Sequence, residues 1–259
     1  TAEDIQRAVA HERAKHDKKT PRDVKHQFGT PPSEITVQAK IGPAPWDEYV
    51  SRVPGLSRVR EAVEGMRAAV LNVSAAAKKI EALPPEHRAL NLDRLAKSGH
   101  VAIKAIQRAA QAEEAIDEAV EATHKDVRKH LKTPGGSTTE QLGASQVRDY
   151  IRSLPKRERR KALYEEALHD VDSVRAILAG PPMASGLDRE TLDGFELRAT
   201  GLYMPETLKQ RQAAERAREV FEGARKQAIK LASETAGLRQ NARSGEWTPV
   251  WEIDTPDAA

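Results

Sequence analysis

The chain has 259 residues, of which 31% are charged, only 4% are aromatic and none is cysteine. Without cysteine it cannot form disulfides, zinc–thiolate sites or iron–sulfur clusters. Because 42 basic side chains nearly balance 39 acidic ones, for a net charge of +3, we do not expect the whole surface to bind nucleic acid. The composition is typical of long helices packed through small side chains, not of a pocket for a small-molecule substrate.

The acidic N-terminus does not have the pattern of a signal peptide. No apolar run approaches the ~18 residues that a membrane-spanning helix needs. We therefore expect a soluble protein, made in the cytoplasm and without a membrane partner.

Residues 1–53 are predicted to form an N-terminal arm. A thin apolar face over residues 2–19 predicts a short amphipathic helix, and prolines then interrupt helical patterning up to residue 45. Within this stretch apolar residues alternate with polar ones at Ile35, Val37, Ala39 and Ile41. A period of two predicts an extended segment over residues 34–41. One or two helical turns are expected from Trp46 to Val50.

An apolar stripe bounded by Pro54-Gly55 and Pro84-Pro85 is the strongest pattern in the chain. Its members recur at alternating spacings of three and four, at Leu56, Val59, Val63, Met66, Val70, Val73, Ala77 and Ile80. This spacing predicts a helix of roughly 40 Å that needs partner helices along one side.

A second helical pattern follows the stripe, breaks at Ser98-Gly99 and resumes from Ala102 to Leu131. Because a short connection joins the two patterns, we predict a long-helix hairpin over residues 54–132. In that hairpin Val63 and Val70 should be buried against the helix between Ile106 and Val120.

The sequence from Thr133 to Thr139 is rich in proline, glycine and hydroxyl residues, so residues 133–144 are predicted to be a linker. A C-terminal helical half follows over residues 145–241. Its patterns predict helices at residues 145–153, from Leu154-Pro155 to Leu178, at residues 187–200 and from Pro205 to Leu238. In the tail, residues 242–259, Trp247, Trp251 and Ile253 would lie on one side of an extended strand.

Together these elements predict an all-α fold: an elongated bundle of long antiparallel helices with extended N- and C-terminal arms. A helical body need not cover the apolar faces of the arms, so we predict that the arms dock on copies of this chain or on other assembly proteins by strand addition. Segment 34–41 of a neighbouring copy is one candidate mate for the tail, and Pro249 must then lie on the side without a ladder bond. The predicted partner-binding residues are Ile35, Val37, Ile41, Trp247, Val250, Trp251 and Ile253. Folding of each arm back onto its own bundle stays open as the alternative.

A basic run lies near the start of the C-terminal half. It contains Arg148, Arg152, Lys156, Arg157, Arg159, Arg160 and Lys161 against Asp149 and Glu158. Such a run could bind nucleic-acid phosphates or an acidic protein partner. Only Tyr150 is near enough in sequence to stack on bases, so we favour the acidic partner.

Two Glu-x-x-His matches, Glu121 to His124 and Glu166 to His169, have the spacing that di-iron helical bundles use. Glu121, Glu166 and His169 lie off the apolar seams of their helices, so we predict neither a metal nor another cofactor. Phosphate-binding loops, nucleophile elbows, zinc-protease motifs and dinucleotide-binding glycine patterns do not occur in the sequence. We therefore expect a protein that is not an enzyme. A metal-dependent helical enzyme remains an alternative.

The stretch from Arg175 to Leu187, with Leu197-Arg198 and Met204-Pro205-Glu206, resembles a segment of uncharacterised helical proteins encoded near virion genes of tailed bacteriophages. The resemblance covers residues 175–206 only. It implies a structural protein of a phage particle, with the head–tail connection as one position. A non-enzymatic virion subunit is thus the function we expect, and a nucleic-acid-associated helical protein is the first alternative.

Overall fold

A computed structural model describes residues 29–133 and 136–253, except for the side chains of Ala110, Glu252 and Ile253. The predicted all-α class is confirmed. The helix predicted for residues 2–19 and the tail beyond Ile253 lie outside the described residues.

The α-helices are α1 Glu34–Lys40, α2 Trp46–Arg52, α3 Ser57–Glu81, α4 Pro85–Arg108, α5 Ala112–Leu131, α6 Thr138–Ser153, α7 Lys156–Lys161, α8 Val171–Ala179, α9 Pro182–Ser185, α10 Arg189–Tyr203, α11 Pro205–Ala236 and α12 Val250–Ile253. Short 3₁₀ turns occupy Pro54–Leu56, Ala109–Gln111 and Ala167–His169, and one π-helical turn spans Ala162–Glu166. The strands β1 (Leu238–Gln240) and β2 (Trp247–Pro249) form a two-stranded sheet. None of the helices in these ranges is long and apolar enough to cross a membrane.

The chain divides into two compact units, each built from separate stretches. Among the described residues, the first unit contains 29–44, 60–112 and 220–253, and the second contains 45–59, 113–133 and 136–219. This division differs from the consecutive segments predicted from sequence.

The apolar stripe of α3 is buried along its whole length, as predicted. Every member from Leu56 to Ile80 is buried, and Val63 and Val70 are 0% exposed. In the first unit, Gly42 lies against both Val63 and Ala224 of α11, with a positive φ of 61°. Its missing Cβ allows this approach, since an added Cβ would lie 2.8 Å from a Val63 methyl carbon. Burial against the stretch from Ile106 to Val120 stays a prediction.

The predicted extended segment 34–41 is wrong, because residues 34–40 form helix α1. Ser33 caps this helix by accepting a hydrogen bond from the Thr36 backbone N–H, and Pro31-Pro32 precede the cap. Val37 and Ile41 are one helical turn apart, and both are fully buried. The burial of this pair is compatible with a helix as well as with alternation.

The predicted break at Ser98-Gly99 is also wrong, because α4 runs through it without interruption. A Cβ added to Gly99 would come within 2.3 Å of the Ala236 Cβ and 2.8 Å of Leu238 Cδ1. Gly99 therefore marks a close approach of α4 to the end of α11 and to β1. The helix turns at Ala109–Gln111 instead.

In the second unit, α6 begins inside the predicted linker 133–144. Ser137 and Glu140 form a capping box, which fixes the helix start at Thr138. The core of the unit joins α5, α6, the π-helical turn, α8 and α10 through Leu131, Ile151, Leu163, Val174, Ile177 and Phe195.

The single helix predicted from Leu154-Pro155 to Leu178 is divided. Helix α7 passes into the π-helical turn and a 3₁₀ turn, and the chain restarts at Asp170. The Asp170 carboxylate accepts hydrogen bonds from the backbone N–H groups of Asp172 and Ser173, and so caps α8. The cap is the local reason for the break.

Candidate interaction surfaces

The strand predicted for the tail forms only at Trp247–Pro249, and it has a mate in its own chain. The extended placement of Trp251 and Ile253 is wrong, because Val250–Ile253 form helix α12. Strand β2 pairs antiparallel with β1, with Trp247 opposite Gln240 and Pro249 opposite Leu238. The backbone N–H of Val250 donates to Gly237 O at 2.9 Å, and that of Asn241 donates to Glu246 O at 2.8 Å. The fold-back alternative therefore holds for this edge of the strand, and segment 34–41 is not its mate because that segment is helical.

Alternation along the ladder makes Leu238–Pro249 a pair without mutual hydrogen bonds. Pro249 thus lies on the side of β2 that makes no ladder hydrogen bond, as predicted, and it does so within its own chain. Trp247, Val250 and Trp251 are half-buried, and the indole Nε1–H of Trp247 is buried without an acceptor among the described residues. Ile253 ends α12, and its side chain lies outside the described part. Docking of the tail on a partner stays a prediction.

The three partner-binding residues predicted near the N-terminus are separated by the structure. Val37 and Ile41 are 0% exposed, so they belong to the core and cannot form a docking surface. Ile35 is 79% exposed on the opposite side of α1.

The basic run divides into structural and exposed side chains. Arg159 donates to three backbone carbonyls: Nε to Leu154 O at 2.8 Å, Nη1 to Gly186 O at 2.6 Å and Nη2 to Arg152 O at 2.7 Å. Arg148 Nη1 donates to Ala176 O at 2.8 Å, and its side chain lies against Gly180. These two guanidinium groups join α6 and α7 to the segments around α8 and α9.

The remaining bases of the run lie at the surface. Arg152 pairs with Asp149 at 2.7 Å. The pKa of the Asp188 carboxyl is lowered mainly because it accepts a hydrogen bond from the Thr191 backbone N–H. The charge of nearby Lys156 contributes to the same lowering. Arg157 and Arg160 are exposed and form no ion pair within the described ranges. The surface bases of the run are thus available to a partner, whereas Arg148 and Arg159 are held by backbone carbonyls.

The outer face of α4 was not predicted as a site. Leu90 and Val101 are 70% and 71% exposed, and 11 residues, or about three helical turns, separate them. At 100° per residue they fall within about 20° of each other around the helix. The same line carries four exposed bases, Arg94, Lys97, Lys104 and Arg108. We call these six residues the α4 outer face.

The four bases of the α4 outer face have no acidic partner in the part of the chain that the structure describes. Glu86, one turn before Leu90, is the only acid on the same line. In the sequence, the residues of the α4 outer face recur at alternating spacings of four and three. The break expected at Gly99 divided it between two helices.

Two adjoining cavities of the second unit lie between α6 and α8. One, of about 410 Å³, is lined mainly by apolar residues including Val147, Tyr150 and Ala162. The other, of about 620 Å³, is lined by charged residues that include Glu140 and Asp170. Both of these carboxylates have lowered pKa values because they accept hydrogen bonds from Ser137 and Ser173 respectively. They cap helices and stay ionised, so they do not form a general acid–base pair.

The two Glu-x-x-His matches are not brought together in a ligand set. The Glu121 carboxylate pairs with Arg128 on its own helix. Glu166 lies at the end of the π-helical turn and lines the smaller cavity. No group of three or more metal-ligating side chains occurs within residues 29–133 and 136–253.

Comparison of the chain with protein-family models, with curated proteins and with solved structures finds no match.

Proposed function

We propose that this chain is a non-enzymatic subunit of a multi-protein assembly, and that the assembly is a phage particle. The α4 outer face carries the first part of this proposal. It presents Leu90 and Val101, both at least 70% exposed, on one line of a continuous helix. A partner gains roughly 25 cal/mol for each Å² of apolar surface that it removes from water.

The charged groups of the second-unit cavities support the same function. The acids that line the larger cavity serve as helix caps or ion-pair partners, as Asp172 does for Arg175. A hydrolytic or acid–base enzyme needs titratable groups that converge on a substrate and are free to exchange protons. The geometry of these residues favours a structural role.

The phage part of the proposal rests on the resemblance of residues 175–206 to helical proteins encoded near virion genes. A subunit at the head–tail connection is consistent with it. Such a subunit is made in the cytoplasm and then incorporated into the virion.

The test is the sedimentation of the full chain in a gentle lysate of its own source, followed by mass spectrometry of purified particles. We expect the chain to sediment in a complex several times its 28.5 kDa mass and to be present in particles at a fixed stoichiometry. Sedimentation as a free monomer at every concentration would refute the assembly role. A complex without the chain in particles would refute only the virion role.

Nucleic-acid binding is the second candidate, because Arg94, Lys97, Lys104 and Arg108 form a basic line without an acidic partner among the described residues. Filter binding of a DNA duplex at two salt concentrations tests it. Contacts to four phosphates predict a slope of log K against log salt of about −3.6. A slope near zero, or no binding, removes this candidate.

A further inference from the structure

We infer that the α4 outer face is a docking site for an acidic amphipathic helix of a partner protein. This inference rests on the proposed function, because it names the chemistry of the partner in the assembly. The alternation of apolar and basic side chains along one line specifies this occupant.

The order of residues along the line determines what can bind there. Leu90 and Val101 alternate with pairs of bases, so a ligand must offer apolar and anionic groups in turn. A helix with leucines and glutamates on one face does so at the same three- and four-residue spacings. Nucleic-acid phosphates would pair with the bases but leave Leu90 and Val101 without an apolar partner.

The small size of the surface indicates a weak contact. From Leu90 to Arg108 the line is about 27 Å long, and with a width of about 10 Å it offers roughly 300 Å². That is well below the roughly 800 Å² per partner of a standard stable interface. We therefore expect weak binding from this face alone, with other contacts adding affinity in the assembly.

The charges of the surface are available for such a contact. Arg94, Lys97, Lys104 and Arg108 are exposed and form no ion pair with another described residue. Docking of glutamates therefore does not require an existing ion pair to be broken. Each new pair at an interface rim adds little affinity by itself but fixes the register of the partner.

The experiment uses two synthetic helical peptides of the same composition, both rich in glutamate and leucine. In the patterned peptide these residues share one face; in the control peptide they are distributed around the helix. Fluorescence anisotropy with the full chain should show tighter binding of the patterned peptide. The R94Q/R108Q variant removes two of the ion pairs expected between the chain and the peptide. It should therefore bind the patterned peptide about fivefold more weakly. L90S/V101S should weaken binding about tenfold without reducing its dependence on salt.

R157Q/R160Q is the matched control, because it also removes two exposed arginines but changes helix α7 of the second unit instead of α4. We expect its affinity to stay within twofold of the wild type. Circular dichroism and melting of each variant check that these surface changes leave the fold intact.

Several results would each overturn the inference. They are equal binding of both peptides, equal loss of affinity in the control variant, no binding of the patterned peptide at millimolar concentration, and tighter binding of a DNA duplex that R94Q/R108Q abolishes. Self-association that L90S/V101S removes would also overturn it, in favour of a second copy as occupant.

A sedimentation arm separates this inference from the proposed function. If the wild-type chain enters an assembly and R94Q/R108Q and L90S/V101S enter it equally well, the α4 outer face is not the docking site and the assembly role stands. If the wild-type chain enters no assembly, the proposed function fails whatever the peptides show.

Discussion

Replacing Arg159 by methionine tests whether the basic run is a structural feature. The guanidinium group makes three hydrogen bonds of 2.6 to 2.8 Å, to backbone carbonyls of Arg152, Leu154 and Gly186. Methionine keeps much of the apolar stem but removes all three donors. At roughly 0.5–1.5 kcal/mol for each net hydrogen bond, the loss is about 2–4 kcal/mol, and partial access of water to the carbonyls favours the lower end.

Urea unfolding followed by circular dichroism measures this loss as the shift of the midpoint multiplied by the m-value. Arg157→Met is the matched control, because Arg157 is exposed and its substitution should change stability by less than about 0.5 kcal/mol. Arg159→Lys should lie between the two, since one ammonium cannot reproduce the planar fork. Equal stability of the two methionine variants would refute the structural assignment of Arg159.

Three further perturbations test the packing and the caps. Gly99→Ala should destabilise the chain by at least about 2 kcal/mol, since the added Cβ would lie 2.3 Å from the Cβ of Ala236. The control Gly65→Ala, in an open and exposed position of α3, should stabilise the chain by up to about 1 kcal/mol. Urea unfolding should show changes in the free energy of unfolding of opposite sign, and changes of the same sign would contradict the close approach at Gly99. Val70→Asp should lower the free energy of unfolding by several kcal/mol, because it buries an unpaired charge. The control Asn72→Asp, at an exposed position of the same helix, should change it little. Equal melting temperatures of the two variants would mean that the stripe faces no core. The pKa of Asp170 is lowered in the folded state, so its ionised carboxylate stabilises the fold at pH values above the ordinary pKa of 3.8. This stabilisation is lost as the pH falls through the pKa of the folded state, so Asp170→Asn should flatten the dependence of stability on pH at the acid end. A dependence parallel to that of the wild type would contradict this.

The long helices were predictable because their signals are local and agree with one another. The stripe from Leu56 to Ile80 repeats with helical spacing and has prolines at both ends, and burial followed it residue by residue. Helix α11 likewise begins at Pro205, as its sequence indicates. Spacing, capping and burial point to the same structure in these elements.

The errors arose where a local pattern had two interpretations. Ile35, Val37 and Ile41 satisfy a period of two, but Val37 and Ile41 also satisfy the helical spacing of four, and the Ser33 cap favours the helix. Gly99 was interpreted as a helix break, although its role is to let another part of the chain approach. That role depends on Ala236, which is far away in sequence.

The candidate sites were less predictable than the fold. Arg159 looks like a surface base in sequence, because its Gly186 carbonyl partner is 27 residues away. The α4 outer face is different, since every part of its signal lies within one helix. It becomes visible once the helix is continued through Gly99.

The position of Pro249 limits what the small sheet can become. Thr248 directs its backbone groups toward β1, and Pro249 has no N–H, so the outer edge of β2 offers a single backbone donor, at Trp247. In the other strand, the facing residue Leu238 is buried. The outer edge of β2 therefore offers few backbone groups to an added strand. Addition of strands from further copies of the chain at this edge of the hairpin is thereby disfavoured, even where many copies are concentrated together.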